Sequence, residues 1–316
     1  HAYDVETSAK EQLRLIQALS ESPIALMTDR ANEQHYELPT SFFEAVLGKY
    51  RKYSCGYWPE GVRSLDEAES ASLQATCNHA ELLNGHRILE LGCGWGSLSL
   101  WMAAAYPDSE IVAVSNSASQ RSFIEHEAEK RGLHNLRLVT EDMNVFEAEG
   151  RFDRVVSVEM FEHMRNWPLL FTRISRWLAP RGKFFMHVFA HRTVPYLFEQ
   201  RNETDWMSRH FFSGGMMPSV DLPMFFQRDL LLEQRWLWGG KHYARTAEAW
   251  LENMDAKRDA LWPLFEQTYG ADFAQLWWAR WRMFFMACAE FFGHANGQEW
   301  MVGHFLFRRQ QDTCSP

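Results

Sequence analysis

Cysteine is scarce in this chain and lacks any paired spacing. The five cysteines, Cys55, Cys77, Cys93, Cys288 and Cys314, are odd in number and none stands in a C-x-x-C pair. That pattern excludes the common zinc motifs and a disulfide framework, so no metal site is expected and a reducing, cytoplasmic setting fits. Positive charge is also short: 32 Lys and Arg face 41 Asp and Glu, a net charge of −9. A nucleic-acid partner normally needs a basic face, and anionic lipid would gain no general attraction, so neither is expected. Missing too is any uninterrupted apolar run of the roughly 18 residues that a membrane span requires. The first 30 residues carry acids throughout and hold no apolar stretch of secretory length. The expectation is a cytoplasmic protein without integral membrane association.

Apolar and aromatic residues, by contrast, are plentiful. At 46% of 316 residues, the apolar set suffices for one large α/β domain or for a core with a sizeable appended piece. The 14 Trp and 23 Phe serve core packing or the walls of an aromatic chamber.

Hydrophobic spacing predicts helices over 8–20, 40–50 (with Thr40 as cap) and 65–83. From residue 86 strands and helices alternate: strands at 87–91, 110–114, 136–140, 154–158 and 183–188, helices at 97–105, 118–131 and 167–178. Such alternation implies βαβ units and a parallel sheet, with a ligand site beyond the C-terminal strand ends. Gly132 closes the second of these helices, and Pro180-Arg181-Gly182 reads as the turn before the fifth strand. Residues 192–229 break the pattern with Pro195, Gly214-Gly215, Pro218 and Pro223, as a lid or pocket wall would. Strand-like runs return at 230–238 and 300–308, separated by helices near 246–268 and 272–292. The last helix presents Phe273, Trp277, Trp281, Phe284, Cys288 and Phe291 as a stripe best read as core.

Arg87-Ile88-Leu89-Glu90-Leu91-Gly92-Cys93-Gly94-Trp95-Gly96-Ser97 reads as a buried strand, a glycine-rich turn and a helix start. Such a loop suits an anionic or zwitterionic ligand; for a methionine-like end, Glu90 is placed to attract the ammonium group. The G-x-G-x-G spacing departs from the dinucleotide G-x-G-x-x-G, and Ser115 stands where a ribose-binding acid is expected, which argues against NAD. Gln120 offers an alternative ribose contact beside Ser115, although Ser117-x-x-Gln120 also reads as a capping box; both can hold at once. Asp142 stands where an adenine amino group would need an acceptor, or is a solvated loop acid. The fourth strand runs into Glu159-Met160-Phe161-Glu162-His163, three ionisable groups at the predicted site mouth. An amine acceptor must shed a proton to present its lone pair, and carboxylates with an imidazole suit that task.

Residues 31–36, Tyr53-Ser54-Cys55-Gly56-Tyr57-Trp58, the 90–96 loop and 159–163 together resemble the cyclopropane-fatty-acid synthase superfamily, from about residue 30 onward. Residues 205–219, 240–244 and 299–304 are similar to its coclaurine N-methyltransferase-like branch, whereas Tyr57-Trp58 looks closer to the lipid branch. The resemblance implies a class I S-adenosylmethionine-dependent methyltransferase fold: an α/β, Rossmann-like, doubly wound, mostly parallel seven-stranded sheet. A helical segment over 1–80 would cover the site, 81–190 would form the cofactor-binding core, and 191–316 a helical insertion and the sheet's completion. It implies S-adenosylmethionine as cofactor, held by Tyr53, Ser54, Glu90, Gly92, Gly94, Ser115, Gln120 and Asp142. Glu162 would bind and help deprotonate the amine, with His163 assisting and Glu159 tuning charge. Trp206 and Phe212 would enclose a substrate ring. Cys55, Glu162, His187 and Tyr243 match the four positions that hold a bicarbonate base in the cyclopropane branch. The implied activity is methyl transfer to the nitrogen of a small, aromatic-ring-bearing amine; the alternative is bicarbonate-dependent cyclopropanation or C-methylation of unsaturated lipids. A homodimer is expected only from the general habit of soluble enzymes.

Overall fold

A computed structural model describes residues 4–26, 38–198, 207, 211–212 and 214–310. Trp206 and residues 31–36 lie outside the described residues.

Among the described residues, α1 (Val5–Glu21), α2 (Thr40–Val46) and α3 (Leu65–His79) precede the sheet. Ser64 caps α3 in a full capping box with Glu67. Thr40, expected to cap α2, is instead its first helical residue: Pro39 takes the cap position and offers no side-chain bond, being pre-set in φ. The core then alternates β1 (Arg87–Leu91), α4 (Ser97–Ala105), β2 (Glu110–Ser115), α5 (Ala118–Lys130), β3 (Leu136–Thr140), β4 (Phe152–Val158), α6 (Trp167–Trp177) and β5 (Leu178–His191). After the insertion come β6 (Leu230–Gly239), α7 (Lys241–Ala256), α8 (Arg258–Tyr269), α9 (Ala271–Gly297) and β7 (Trp300–Arg309).

The seven strands lie in the order β3-β2-β1-β4-β5-β7-β6. The first five run parallel; β7 pairs antiparallel with both β5 and β6. Strands covered on both faces read as continuous apolar runs, as Ile111, Val112, Ala113 and Val114 of β2 do. Side-chain alternation sends Leu89 and Leu91 to the face packed by Trp167, Phe171 and Ile174 of α6. Ile88 packs on the other face with Leu73 of α3 and Leu98 and Met102 of α4, and Glu90 is in phase with Ile88. The sheet's own pleat therefore turns that acid toward α3 and α4.

Three further sequence expectations need correction. Pro180-Arg181-Gly182 is not a turn but a bulge inside β5. Arg181 takes φ +61°, the register against β4 slips between Phe152 and Arg154, and a Cβ at Gly182 would lie 2.8 Å from the Phe152 carbonyl. The helix expected over 246–268 starts at Lys241 and breaks into α7 and α8 at Lys257, whose φ and ψ of −107° and 20° leave the helical region. In α9 the stripe is out of phase at its start. Phe273 is 58% exposed, and Ala274, Trp278, Trp281, Phe285 and Phe292 form the buried face with Phe42, Phe43 and Trp250.

Of the insertion, the described residues include a two-residue ladder, Tyr196–Leu197 against Met216–Met217, and a 3-10 turn at Leu222–Phe226. His191 anchors its start: Nδ1 accepts from the N–H groups of Thr193 and Val194, which leaves Nε2–H to donate to Glu299 at 2.9 Å.

Candidate active site

A cavity opens at the C-terminal edge of the parallel strands, where a doubly wound sheet reverses its winding. Its floor is the turn after β1. Gly92, Gly94 and Gly96 all take positive φ, and two of them do so under tight constraint. A Cβ on Gly92 would lie 2.7 Å from Cγ of Met160, so the turn can pass the β4 loop only without a side chain. At Gly94 a Cβ would meet nothing within 4 Å, because that backbone faces the cavity. The N–H groups of Gly92 and Cys93 both donate to the Val114 carbonyl and pin the turn to β2.

Glu90 lines the cavity although 2% exposed, and its carboxylate accepts from the Ser99 hydroxyl. Burial raises its pKa to about 7, and the Ser99 bond opposes that rise. An ammonium group in the cavity would restore its charge. On the β2 side, Ser115 donates to Oε1 of Gln120 (2.7 Å) and accepts from the Ser117 N–H (3.1 Å). Ser117 in turn caps α5 by accepting from the Gln120 N–H, so half of the expected capping box exists. The Gln120 side chain is left for the cavity: Nε2 is buried without a partner among the described residues. Thr76 Oγ1 and Ser97 Oγ share that condition. Buried polar atoms seldom lack partners, so three lining one cavity fit a polar ligand. The adjacent wall is Glu141 and Met143. Asp142 is not among the lining residues; its carboxylate accepts from the Asn144 N–H at 2.7 Å.

The opposite wall comes from the segment between α2 and α3. Glu69 of α3, fully buried, accepts from the N–H groups of Gly48 (2.9 Å), Tyr50 (2.7 Å) and Lys52 (3.2 Å). That pin delivers Lys52, Tyr53 and Ser54 to the cavity. Lys52 is buried, and its ammonium donates to Ser54 Oγ (2.5 Å) and the Cys55 carbonyl (2.8 Å). Burial lowers its pKa and the field of Glu159 opposes that. Neither Lys52 nor Glu69 is a candidate by sequence, since single polar residues without periodicity give no signal of burial.

Glu159 and His163 line the cavity; Glu162 does not. Glu159 sits just past β4 at φ +46°, a strained conformation for a residue with a side chain. Three donors hold its carboxylate: the Cys55 N–H (2.9 Å) and His187 Nε2 (3.1 Å) at Oε1, and the Tyr243 hydroxyl (2.6 Å) at Oε2. Burial raises its pKa, while the Lys52 ammonium and the Cys55 and Tyr243 bonds oppose the rise. His163 is held neutral, burial having lowered its pKa to about 4, and its ring stacks on Phe212 with centroids 5.8 Å apart. Glu162 is fully buried: Oε1 accepts from the Phe189 N–H at 2.7 Å, and Oε2 has no partner among the described residues. Burial and then the nearby Glu159 charge push its pKa well up. Cys55, His187 and Tyr243 thus converge on Glu159 from three elements, with Glu162 behind them.

The chain matches the mycolic acid cyclopropane synthetase family over residues 26–300. It is 36% identical to (S)-coclaurine N-methyltransferase of Thalictrum flavum subsp. glaucum, over 96% of this chain and 86% of that protein. It is 30% identical to cyclopropane-fatty-acyl-phospholipid synthase of Escherichia coli K12, over 85% of this chain and 66% of that protein. A crystal structure of coclaurine N-methyltransferase bound to N-methylheliamine and SAH superposes with a TM-score of 0.93 at 35% identity, covering 97% of this chain and 89% of that one.

Proposed function

This chain belongs to the mycolic acid cyclopropane synthetase family and is an S-adenosylmethionine-dependent N-methyltransferase, and from that premise we propose that its acceptor is a small amine carrying an aromatic ring. The observation that carries the proposal is the position of the Glu159 carboxylate. It occupies the donors of Cys55, His187 and Tyr243, where the lipid alternative would hold a bicarbonate base. A base supplied by the chain itself leaves those donors satisfied without an added anion.

Glu90, Ser97, Ser115, Gln120 and the turn at Gly92 and Gly94 would hold the cofactor, with Tyr53 and Ser54 closing over it. When bound, the cofactor supplies an electrophilic methyl group on a positively charged sulfur. Glu159 attracts the ammonium form of the amine and accepts its proton on the carboxylate. His163, being neutral, accepts a hydrogen bond from the amine N–H and so aims the nitrogen lone pair. Orientation of this kind dominates methyl transfer from a donor already activated. The family resemblance implied that Glu162 binds the amine; we assign that role to Glu159 instead, because Glu159 lines the cavity and Glu162 does not, its Oε1 being engaged by the Phe189 N–H. Phe212, stacked on His163, offers a π-face to the cationic product.

No helix among the described residues is long and apolar enough to cross a membrane. We place the enzyme in the cytoplasm because Cys55, Cys77, Cys93 and Cys288 are free thiols, and we expect a homodimer. In the same reading 1–80 covers the site, 81–190 binds the cofactor, and 191–316 completes the sheet and the acceptor pocket.

The test offers the protein an arylalkylamine and vesicles of unsaturated phospholipid, each with and without bicarbonate. Methyl incorporation into the amine, indifferent to bicarbonate, is expected. Bicarbonate-dependent incorporation into lipid, with no amine product, would overturn the reading.

A further inference from the structure

One row of residues crosses the sheet from the site to the protein's flank. In the ladder Val158 of β4 pairs with His187 of β5, His187 with His304 of β7, and His304 with Trp236 of β6. The side chains follow that row. His187 Nε2 lies 3.1 Å from Glu159 Oε1, and its Nδ1 lies 2.9 Å from His304 Nε2. His304 Nδ1 lies 2.8 Å from Nδ1 of His79, at the last turn of α3. His79 is half-buried and stacks on Trp236, with ring centroids 4.0 Å apart and planes at 2°. His187 and His304 are fully buried, so each is held neutral and carries a single ring proton.

Counting protons fixes the direction of the chain. An ionised Glu159 accepts only, so His187 must carry its proton on Nε2. Its Nδ1 is then an acceptor, which requires the proton of His304 on Nε2. His304 Nδ1 is in turn an acceptor, which requires a proton on Nδ1 of His79. Any other arrangement places two lone pairs or two protons against each other in a buried contact.

We propose that His304 and His79 are positioning residues for the catalytic base, fixing through successive hydrogen bonds the tautomer of His187 that donates to the Glu159 carboxylate. The proposal rests on Glu159 being that base. The other titratable groups facing Glu159 are Lys52, Cys55, Glu162, His163, Tyr243 and Cys288, none of which a substitution at the distal end of the row replaces.

The experiment compares His79→Leu with His79→Asn. Both remove the stack on Trp236, but the asparagine amide keeps a donor where Nδ1 stood. For His79→Leu the acid limb of the kcat/KM profile should move up by about one pH unit, the weight of one donor to a carboxylate. Its cofactor Kd should not change, and His79→Asn should return the limb to the wild-type position. An unmoved limb in His79→Leu, or an equal shift in both variants, overturns the proposal. A second measurement needs no turnover and no variant: nitrogen-15 histidine spectra of the wild-type protein, taken above the acid limb. They should show Nε2–H on His187 and His304 and Nδ1–H on His79; Nε2–H with a bare Nδ1 on His79 overturns the proposal. If the wild-type protein methylates no amine, the proposed function fails, while the tautomer assignment is still decided by the spectra.

Discussion

Ser115 donates its hydroxyl proton to Oε1 of Gln120 across 2.7 Å, and that bond decides which end of the amide meets the cavity. With Oε1 engaged, Nε2 is the end left to bind a ligand oxygen. Gln120→Leu keeps the bulk and removes the donor. Cofactor affinity should fall about tenfold by calorimetry, the worth of one buried hydrogen bond, with kcat nearly unchanged at saturating cofactor. Unaltered affinity would remove Gln120 from the binding set.

Glu90 makes cofactor binding depend on pH. Its pKa of about 7 in the free protein means that it is mostly protonated at pH 6, whereas pairing with an ammonium group requires the charged form. Affinity should therefore rise about fivefold between pH 6 and pH 7, with proton release on binding. Calorimetry in buffers of different ionisation enthalpy reads both quantities. Glu90→Gln should bind more weakly at each pH and lose the dependence.

Glu159 works as a base only when ionised, and its pKa lies above the ordinary carboxylate value. The rate should thus be full at high pH and fall as pH drops through that raised value. Glu159→Gln preserves shape and removes the basic oxygen, so kcat should drop about 10²-fold or more. His163→Ala should lose less, about tenfold, because a group with a pKa of about 4 orients the amine without taking its proton. A Glu159→Gln enzyme of ordinary activity would leave the mechanism without its base.

The contact between Gly92 and Met160 is testable by repair. Gly92→Ala puts a Cβ 2.7 Å from Met160 Cγ on a backbone at φ +80°, which should cost about 2 kcal/mol in a denaturation curve. Adding Met160→Ala removes the Cγ overlap but leaves the residue-160 Cβ at 2.8 Å and the backbone strained, so only a minor part of the loss should return. Full stability in the single variant would show that the turn has more room than its geometry gives it.

The parallel half of this fold is legible in the sequence for a simple reason. β1, β2 and β4 are largely buried and rich in apolar residues, with an unbroken run at Ile111, Val112, Ala113 and Val114, and the turn at 92–96 announces itself by glycines that only a strained backbone needs. The break at Lys257 carries no glycine or proline to announce it, and the aromatic residues of α9 spread over an arc that runs from exposed Phe273 to buried Trp278, so periodicity alone cannot choose its buried edge. At the site, the cluster Glu159, Glu162 and His163 is visible as three ionisable groups at a strand tip. Which acid enters the cavity is not, because a positive φ at Glu159 and a 3-10 turn at Phe161–His163 have no periodic signature. The histidine row is hidden for a different reason. His187 and His304 are brought together by strand register and His79 by the packing of α3 against the sheet, across separations of more than 100 residues.

The left-handed backbone at Glu159 makes that side chain a detachable part. Any residue with a Cβ is strained there, so Glu159→Gly relaxes the chain while withdrawing the carboxylate. The Cys55 N–H, the His187 ring and the Tyr243 hydroxyl would then surround a space shaped for a small planar anion. A dissolved carboxylate such as formate or bicarbonate should restore part of the lost turnover in a saturable manner. The catalytic base would have become a reagent that can be titrated in and washed out.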